Sequence, residues 1–292
     1  MSSPPTPAPP PSLHAAPELP EGIERPPAAD RPQWRPWTAW VALVAGFALA
    51  LVGSVVVGIV GAAAGAQFDD PTPAMNIAST IVQDGCLVGA ALLFAGMVGR
   101  PLPAQFGLRP TPPWKALAWM VVAFVTFYVV TLIWVAIVGG NPDDEKLPDE
   151  LGADQSTIAL LAVAFLVSVI APIAEEFFFR GFFYGALRNW RGVVPAAIVT
   201  GVVFGAIHAG SADWQFLVPL GVFGFLLCML RERTGSLYPG IVLHCANNSL
   251  AFGVSQDWGW EIPVLLVAAL SVIGLAALVV RARWTPAPAS GV

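Results

Sequence analysis

Eight apolar stretches dominate the chain, and they limit it to one class of architecture. They cover about residues 37–62, 74–98, 115–138, 157–187, 193–209, 215–230, 236–253 and 261–280. A helix needs roughly 20 apolar residues to cross the ~30 Å hydrocarbon core of a bilayer. Only 11% of the residues are charged, against roughly a quarter in an average soluble domain. The expectation is an all-α, polytopic membrane bundle of about eight transmembrane helices. The fifth and sixth stretches are short, so the bilayer is expected to thin there or neighbouring helices to cover them.

The loops between the stretches alternate in charge. Arg25, Arg31 and Arg35 precede the first, and Arg100, Arg109 and Lys115 fall between the second and third. Arg188 and Arg191, then Arg231 and Arg233, then Arg281 and Arg283 follow at the even positions. The other loops carry acids: Asp69 and Asp70, the run NPDDEKLPDELGAD, Asp213, and Asp257 with Glu261. Basic loops stay on the cytoplasmic side of a membrane. Both termini are therefore expected in the cytoplasm of a cell membrane, and the Ala-rich, Arg-over-Lys composition suggests a bacterium. Tryptophans near the stretch ends (Trp37, Trp40, Trp114, Trp190, Trp214, Trp260, Trp284) suit interfacial belts.

Residues 1–36 hold twelve of the 28 prolines and are expected to be a disordered cytoplasmic tail. Three further segments are expected: helices one to three over 37–150, a core of four helices over 151–255, and a last helix with a cytoplasmic C-terminus over 256–292. Cys86, Cys228 and Cys245 have no paired spacing and sit in apolar context, so buried free thiols are expected. No nucleotide-binding or nucleic-acid motif is present. Membrane lipids are the partners this composition implies.

Ionisable residues inside membrane helices are costly, about 2.5 to 3.5 kcal/mol each on insertion scales, and mark functional sites by default. Here they are Asp84, Glu175, Glu176, Arg180, His208 and His244. Glu176 and Arg180 are four residues apart, on one helix face, and are expected to pair. Glu175 lies about 100° around the helix from Glu176, with no partner on its own helix. Pro172, just upstream, removes a backbone hydrogen bond and is expected to kink the helix. Phe204 and His208 share a face, as do His244 and Asn248. At 1.5 Å per residue, Glu175, His208 and His244 lie roughly 20, 22 and 14 Å from the basic end. One pocket, open toward the cytoplasm, is expected to hold all three. Gln83 and Asp84 are expected to be a helix-packing feature.

EEFFFR at 175–180, FGAIH at 204–208 and HCANN at 244–248 occur in that order, each inside an expected span. This arrangement resembles the CPBP family of intramembrane proteases, which includes CAAX prenyl proteases and bacteriocin-processing endopeptidases. FGLRP at 106–110 also resembles the family. The resemblance implies an intramembrane endopeptidase with catalytic Glu175, His208, His244 and Asn248. Glu175 would activate water beside His208, and His244 and Asn248 would bind metal or hold the oxyanion. Glu176, Arg180 and Phe204 would support them. The metallopeptidase description attached to the family implies a Zn2+ cofactor with His208 and His244 as ligands. Ligand arithmetic leaves a metal-free reading open beside it, because a catalytic zinc usually takes three protein ligands and an asparagine amide is a poor one.

Two other functions fit the same polar inventory. A non-catalytic immunity or scaffold protein could keep the pocket as a binding site. An ion-coupled transporter could use Glu and His as relays, but such folds usually carry internal repeats, and the motif pattern does not recur between the two halves.

Overall fold

The computed structural model describes residues 32–67, 70–139 and 147–284. The proline-rich segment up to residue 31 lies outside the described residues. The ordered bundle reaches back to Pro32, a few residues into the stretch expected to be tail. Trp34 is buried, packed 4.9 Å from the Phe106 ring and 5.0 Å from the Phe182 ring.

Eight long helices follow in order among the described residues, beside short helical turns at Pro103–Phe106, Leu147–Glu150 and Ala153–Gln155. The long helices are α1 (Pro36–Ala63), α2 (Pro73–Gly96), α3 (Pro113–Val138), α4 (Thr157–Arg191), α5 (Val193–Ile207), α6 (Trp214–Thr234), α7 (Tyr238–Ser255) and α8 (Glu261–Trp284). Each of α1, α2, α3 and α7 has proline in its first turn, where its missing N–H costs nothing and its fixed φ suits the helix. Six of the eight (α1, α2, α3, α4, α6 and α8) are long and apolar enough to cross a membrane, and α5 is a shorter apolar helix. The remaining helix, α7, carries the polar HCANN segment. The described residues therefore form a polytopic helical bundle whose lipid-facing surface is apolar, with α1, α3 and α8 mostly exposed along their spans.

The charge alternation of the loops is realised in space. At the basic end, Asn189 Nδ2 donates to the Pro32 and Trp34 carbonyls, and Arg188 pairs with Glu232 at 2.6 Å. Arg109 Nε donates to the Gly235 carbonyl at 2.6 Å and the Leu237 N–H to the Gly107 carbonyl at 2.7 Å. The start of α1, the 97–112 loop, the end of α4 and the α6–α7 turn thus share one end. At the other end, Asn76 Nδ2 donates to the Glu150 carbonyl and Trp134 Nε1 to the Gln215 carbonyl.

The pivotal element is α4. It alternates α-helix (Thr157–Phe165), π-helix (Leu166–Ile170), α-helix (Ala171–Glu175), π-helix (Glu176–Phe183) and α-helix (Tyr184–Arg191). π-turns inside α-helices concentrate at functional sites. The predicted disturbance near Pro172 is present, and it takes this form.

Candidate active site

Glu176 and Arg180 form the expected pair. Arg180 Nη1 lies 2.7 Å from Glu176 Oε1, and both side chains are fully buried. The pair is sunk into a space made by glycines. A Cβ on Gly240 of α7 would fall 2.9 Å from Glu176 Oε2, and one on Gly224 of α6 would fall 3.2 Å from Arg180 Nη2. The Arg180 guanidinium also sits 4.2 Å from the centre of the Phe204 ring, a favourable placement of a cation over an aromatic face. Glu176 Oε2 and Arg180 Nε and Nη2 have no hydrogen-bond partner among the described residues.

His244 joins this pair from α7. Its Nδ1 lies 3.1 Å from Glu176 Oε1, the oxygen that Arg180 also binds. Its Nε2 lies 3.7 Å from Glu175 Oε2. His244 is therefore flanked by both glutamates, and Glu175, without a partner on its own helix, finds one on α7. The Glu175 carboxylate is also the less enclosed of the two, with 18% of its side chain exposed against 0% for Glu176.

His208 is the residue that ends α5, just past Ile207. Its Nδ1 lies 2.7 Å from the Phe204 carbonyl oxygen. A carbonyl only accepts, so Nδ1 carries the hydrogen, and in the neutral ring Nε2 presents a lone pair. The Phe204 ring links the histidines, 4.8 Å from the His208 ring and 5.8 Å from the His244 ring. The His208 ring meets Phe204, whereas His244 meets the glutamates directly. Asn248 lies one turn beyond His244 on α7, and its Nδ2 donates to the Val167 carbonyl at 3.0 Å.

FGLRP lies under the acids at the basic end. Phe106 stacks on Phe177, with ring centroids 4.6 Å apart. On this side the interior is filled, since Phe178, Phe179, Phe182 and Phe183 are all fully buried. An apolar groove of about 220 Å³ runs along the flank instead, from Ile173 and Ala174 beside Glu175 to Leu108 and Tyr238 at the basic end.

Three residues gain significance that the motifs did not give them. Asp84, on α2, is 4% exposed and its Oδ2 has no hydrogen-bond partner. It is close enough to Glu175 for the two carboxyls to interact electrostatically, so it belongs to the site's surroundings as well as to helix packing. Asn247 is 9% exposed and bonded to Tyr128. The available signals were the second asparagine of HCANN and a tyrosine, one of three in the chain, in the middle of α3. Cys228 and Cys245 are buried free thiols, as expected, and Cys86 is a half-buried one.

The donors do not fit a three-ligand zinc site in this arrangement. Among the described residues, no group of three His, Cys, Asp or Glu side chains converges in a way that could hold a metal ion. His244 Nδ1 lies against Glu176 Oε1 and His208 Nδ1 is taken by a carbonyl, which leaves one Nε2 on each histidine, and the Asn248 oxygen accepts from Asn247.

A sequence model of the family described as Type II CAAX prenyl endopeptidase Rce1-like matches residues 157–250. The UPF0177 protein YxdF of Lactococcus lactis subsp. lactis (strain IL1403) is 23% identical over 140 residues, covering 46% of this chain and 74% of that one. An uncharacterized 24.3 kDa protein of Escherichia coli is 27% identical over 157 residues, covering 51% of this chain and 67% of its own. YdiL of Bacillus subtilis (strain 168), whose name proposes a membrane peptidase, is 26% identical over 134 residues, covering 46% of this chain and 52% of its own. No solved structure matches the chain. The matched segment contains α4 with Glu175, Glu176 and Arg180, α5 with His208, and α7 with His244 and Asn248; over this core the chain is similar to the Rce1-like family.

Proposed function

We propose that the chain is an intramembrane endopeptidase that hydrolyses a peptide bond of a membrane-associated protein or peptide. The observation that carries this reading is the placement of His244 between a fully buried glutamate paired to Arg180 and a second glutamate, Glu175, that keeps partial exposure. An ion pair that only stabilised the bundle would not need the second carboxylate. The match to a CAAX-type family and the peptidase name of one relative support the same class.

In this reading Glu175 takes a proton from water, and the resulting hydroxide attacks the carbonyl carbon of the scissile bond. General-base catalysis of this kind contributes typically about 10² to 10⁴ in rate. His208, with its Nε2 lone pair, assists at the water. Asn248, one turn beyond His244 on α7, donates to the oxyanion that forms, and His244 joins it as the imidazolium, through Nε2. The proton held by Glu175 then passes to the departing amide nitrogen, and the C–N bond breaks. Glu176 and Arg180 hold His244 in place. A metal enters no step. The apolar groove beside Ile173 and Ala174 suits a substrate that arrives within or along the membrane. In this reading the protein sits in the plasma membrane of a bacterium, with both termini in the cytoplasm.

The reading is tested by comparing membrane peptides in cells carrying the wild type and Glu175→Ala. A processed peptide that loses its shortened form only in the variant supports it. Identical peptide profiles, with both proteins inserted equally, favour the scaffold reading instead.

A further inference from the structure

A line of hydrogen bonds crosses the bundle from α3 to α4 by way of α7. Tyr128 on α3 donates its hydroxyl to Asn247 Oδ1 at 3.2 Å. Asn247 Nδ2 donates to Asn248 Oδ1 at 3.4 Å. Asn248 Nδ2 donates to the Val167 carbonyl at 3.0 Å. Every member points its donor the same way along the line.

The last acceptor is vacant for a specific reason. Val167 lies in the first π-helical stretch of α4, where each N–H bonds the carbonyl five residues back. The Ala171 N–H follows this register and bonds the Leu166 carbonyl. The next N–H would bond Val167, but residue 172 is proline and has none. A buried carbonyl without a donor is costly, and the Asn248 amide fills the gap.

Direction matters at Asn248. An amide terminus offers a donor on one side and an acceptor on the other, and rotation about its last bond exchanges them at little intrinsic cost. Here the exchange would set oxygen against the Val167 carbonyl and NH₂ against the Asn247 NH₂. We propose that Tyr128, through Asn247, and Pro172, through the vacant Val167 carbonyl, hold the Asn248 amide in one orientation and so act as positioning residues. The second hydrogen of Asn248 Nδ2 is then turned consistently toward a ligand. The proposed role of Asn248 as oxyanion donor supplies the reason for such control, and the inference rests on that reading for its meaning in catalysis.

The orientation itself is measurable without any substrate. The full chain, labelled with ¹⁵N-asparagine and held in detergent micelles, gives side-chain NH₂ signals, and those of Asn248 are identified by their loss in Asn248→Ala. Tyr128→Phe and Pro172→Ala each remove one end of the line without touching Asn248. Both are expected to shift the Asn248 NH₂ pair and narrow the separation of its two hydrogens. Pro172→Ala restores an N–H for Val167, so it is expected to do this at equal or higher thermal stability. An Asn248 pair that stays unchanged in both variants, each folded, would overturn the inference.

A kinetic arm uses an internally quenched peptide with a farnesylated cysteine as the probe. Loss of orienting bonds worth about 1 kcal/mol each corresponds to a several-fold to tenfold fall in kcat. Tyr128→Phe is expected to show that fall at unchanged KM, and to add nothing in an Asn248→Ala background. An equal fall in both backgrounds would overturn the positioning role. Wild-type protein inert toward this probe while Tyr128→Phe still moves the Asn248 signal would count against the peptidase reading and leave the orienting line supported.

Discussion

His244 and Glu176 stand 68 positions apart in sequence and meet at 3.1 Å, Nδ1 to Oε1. The same oxygen accepts from Arg180 at 2.7 Å. One carboxylate oxygen therefore ties α4 to α7 and to its own next turn. Everything else in the site is arranged around that oxygen. Glu175 lies on the far side of the His244 ring, and the Phe204 ring lies between Arg180, His208 and His244.

Breaking the buried pair should cost stability first. Arg180→Ala leaves the fully buried Glu176 carboxylate with His244 as its polar partner and without its cation, and removing one partner of a buried pair typically costs about 3–5 kcal/mol. The variant is expected to unfold at a clearly lower temperature in detergent, and to be recovered in lower yield. A melting temperature equal to that of the wild type would show that the pair is not a structural anchor.

Asp84 should behave in the opposite way. Its buried Oδ2 has no partner, and an unpaired acid in a membrane helix is a liability for folding. Asp84→Asn keeps the shape and removes the charge near Glu175. It is expected to melt at or above the wild-type temperature. A loss of several degrees would mean that Asp84 has a stabilising partner that this account lacks.

The distribution of charge predicts topology. The described basic loop residues share one end of the bundle, and Asn76 and Glu150 meet at the other. A reporter fused after Asp149 is expected to read as external and one at the C-terminus as cytoplasmic. A cytoplasmic reading at both positions would contradict the assignment.

Much of this was legible in the chain because it depends on local periodicity. The eight helices, the loop alternation, the Glu176–Arg180 pair and the shared face of His244 and Asn248 all follow from spacings of three to five residues. The partners of Glu175 and Asn247 do not, since His244 and Tyr128 come from other helices. The register of α4 was only half legible. Pro172 announced a disturbance, but two π-helical stretches depend on how the helix packs against α2, α7 and α8. Trp34 was hidden for a similar reason, because its burial depends on Phe106, Phe182 and Gly185 lying together at the basic end.

The donor set also predicts how the protein responds to metal removal. Among the described residues, no three His, Cys, Asp or Glu side chains converge as a metal site needs. Protein shown to be free of metal after treatment with a membrane-permeable chelator is expected to retain its cleavage rate. Activity lost on stripping and restored by stoichiometric Zn2+ would establish that His208, His244 and a third donor rearrange around the ion.

The central claim is that Glu175 activates water for peptide-bond hydrolysis. The direct measurement is cleavage of a membrane peptide by the purified full chain in H₂¹⁸O, read by mass spectrometry of the new C-terminus. The wild type is expected to place one ¹⁸O in that carboxyl group. Glu175→Ala, inserted and folded as the wild type is, is expected to give no labelled product above background. Labelled product from Glu175→Ala at the wild-type rate would contradict the account.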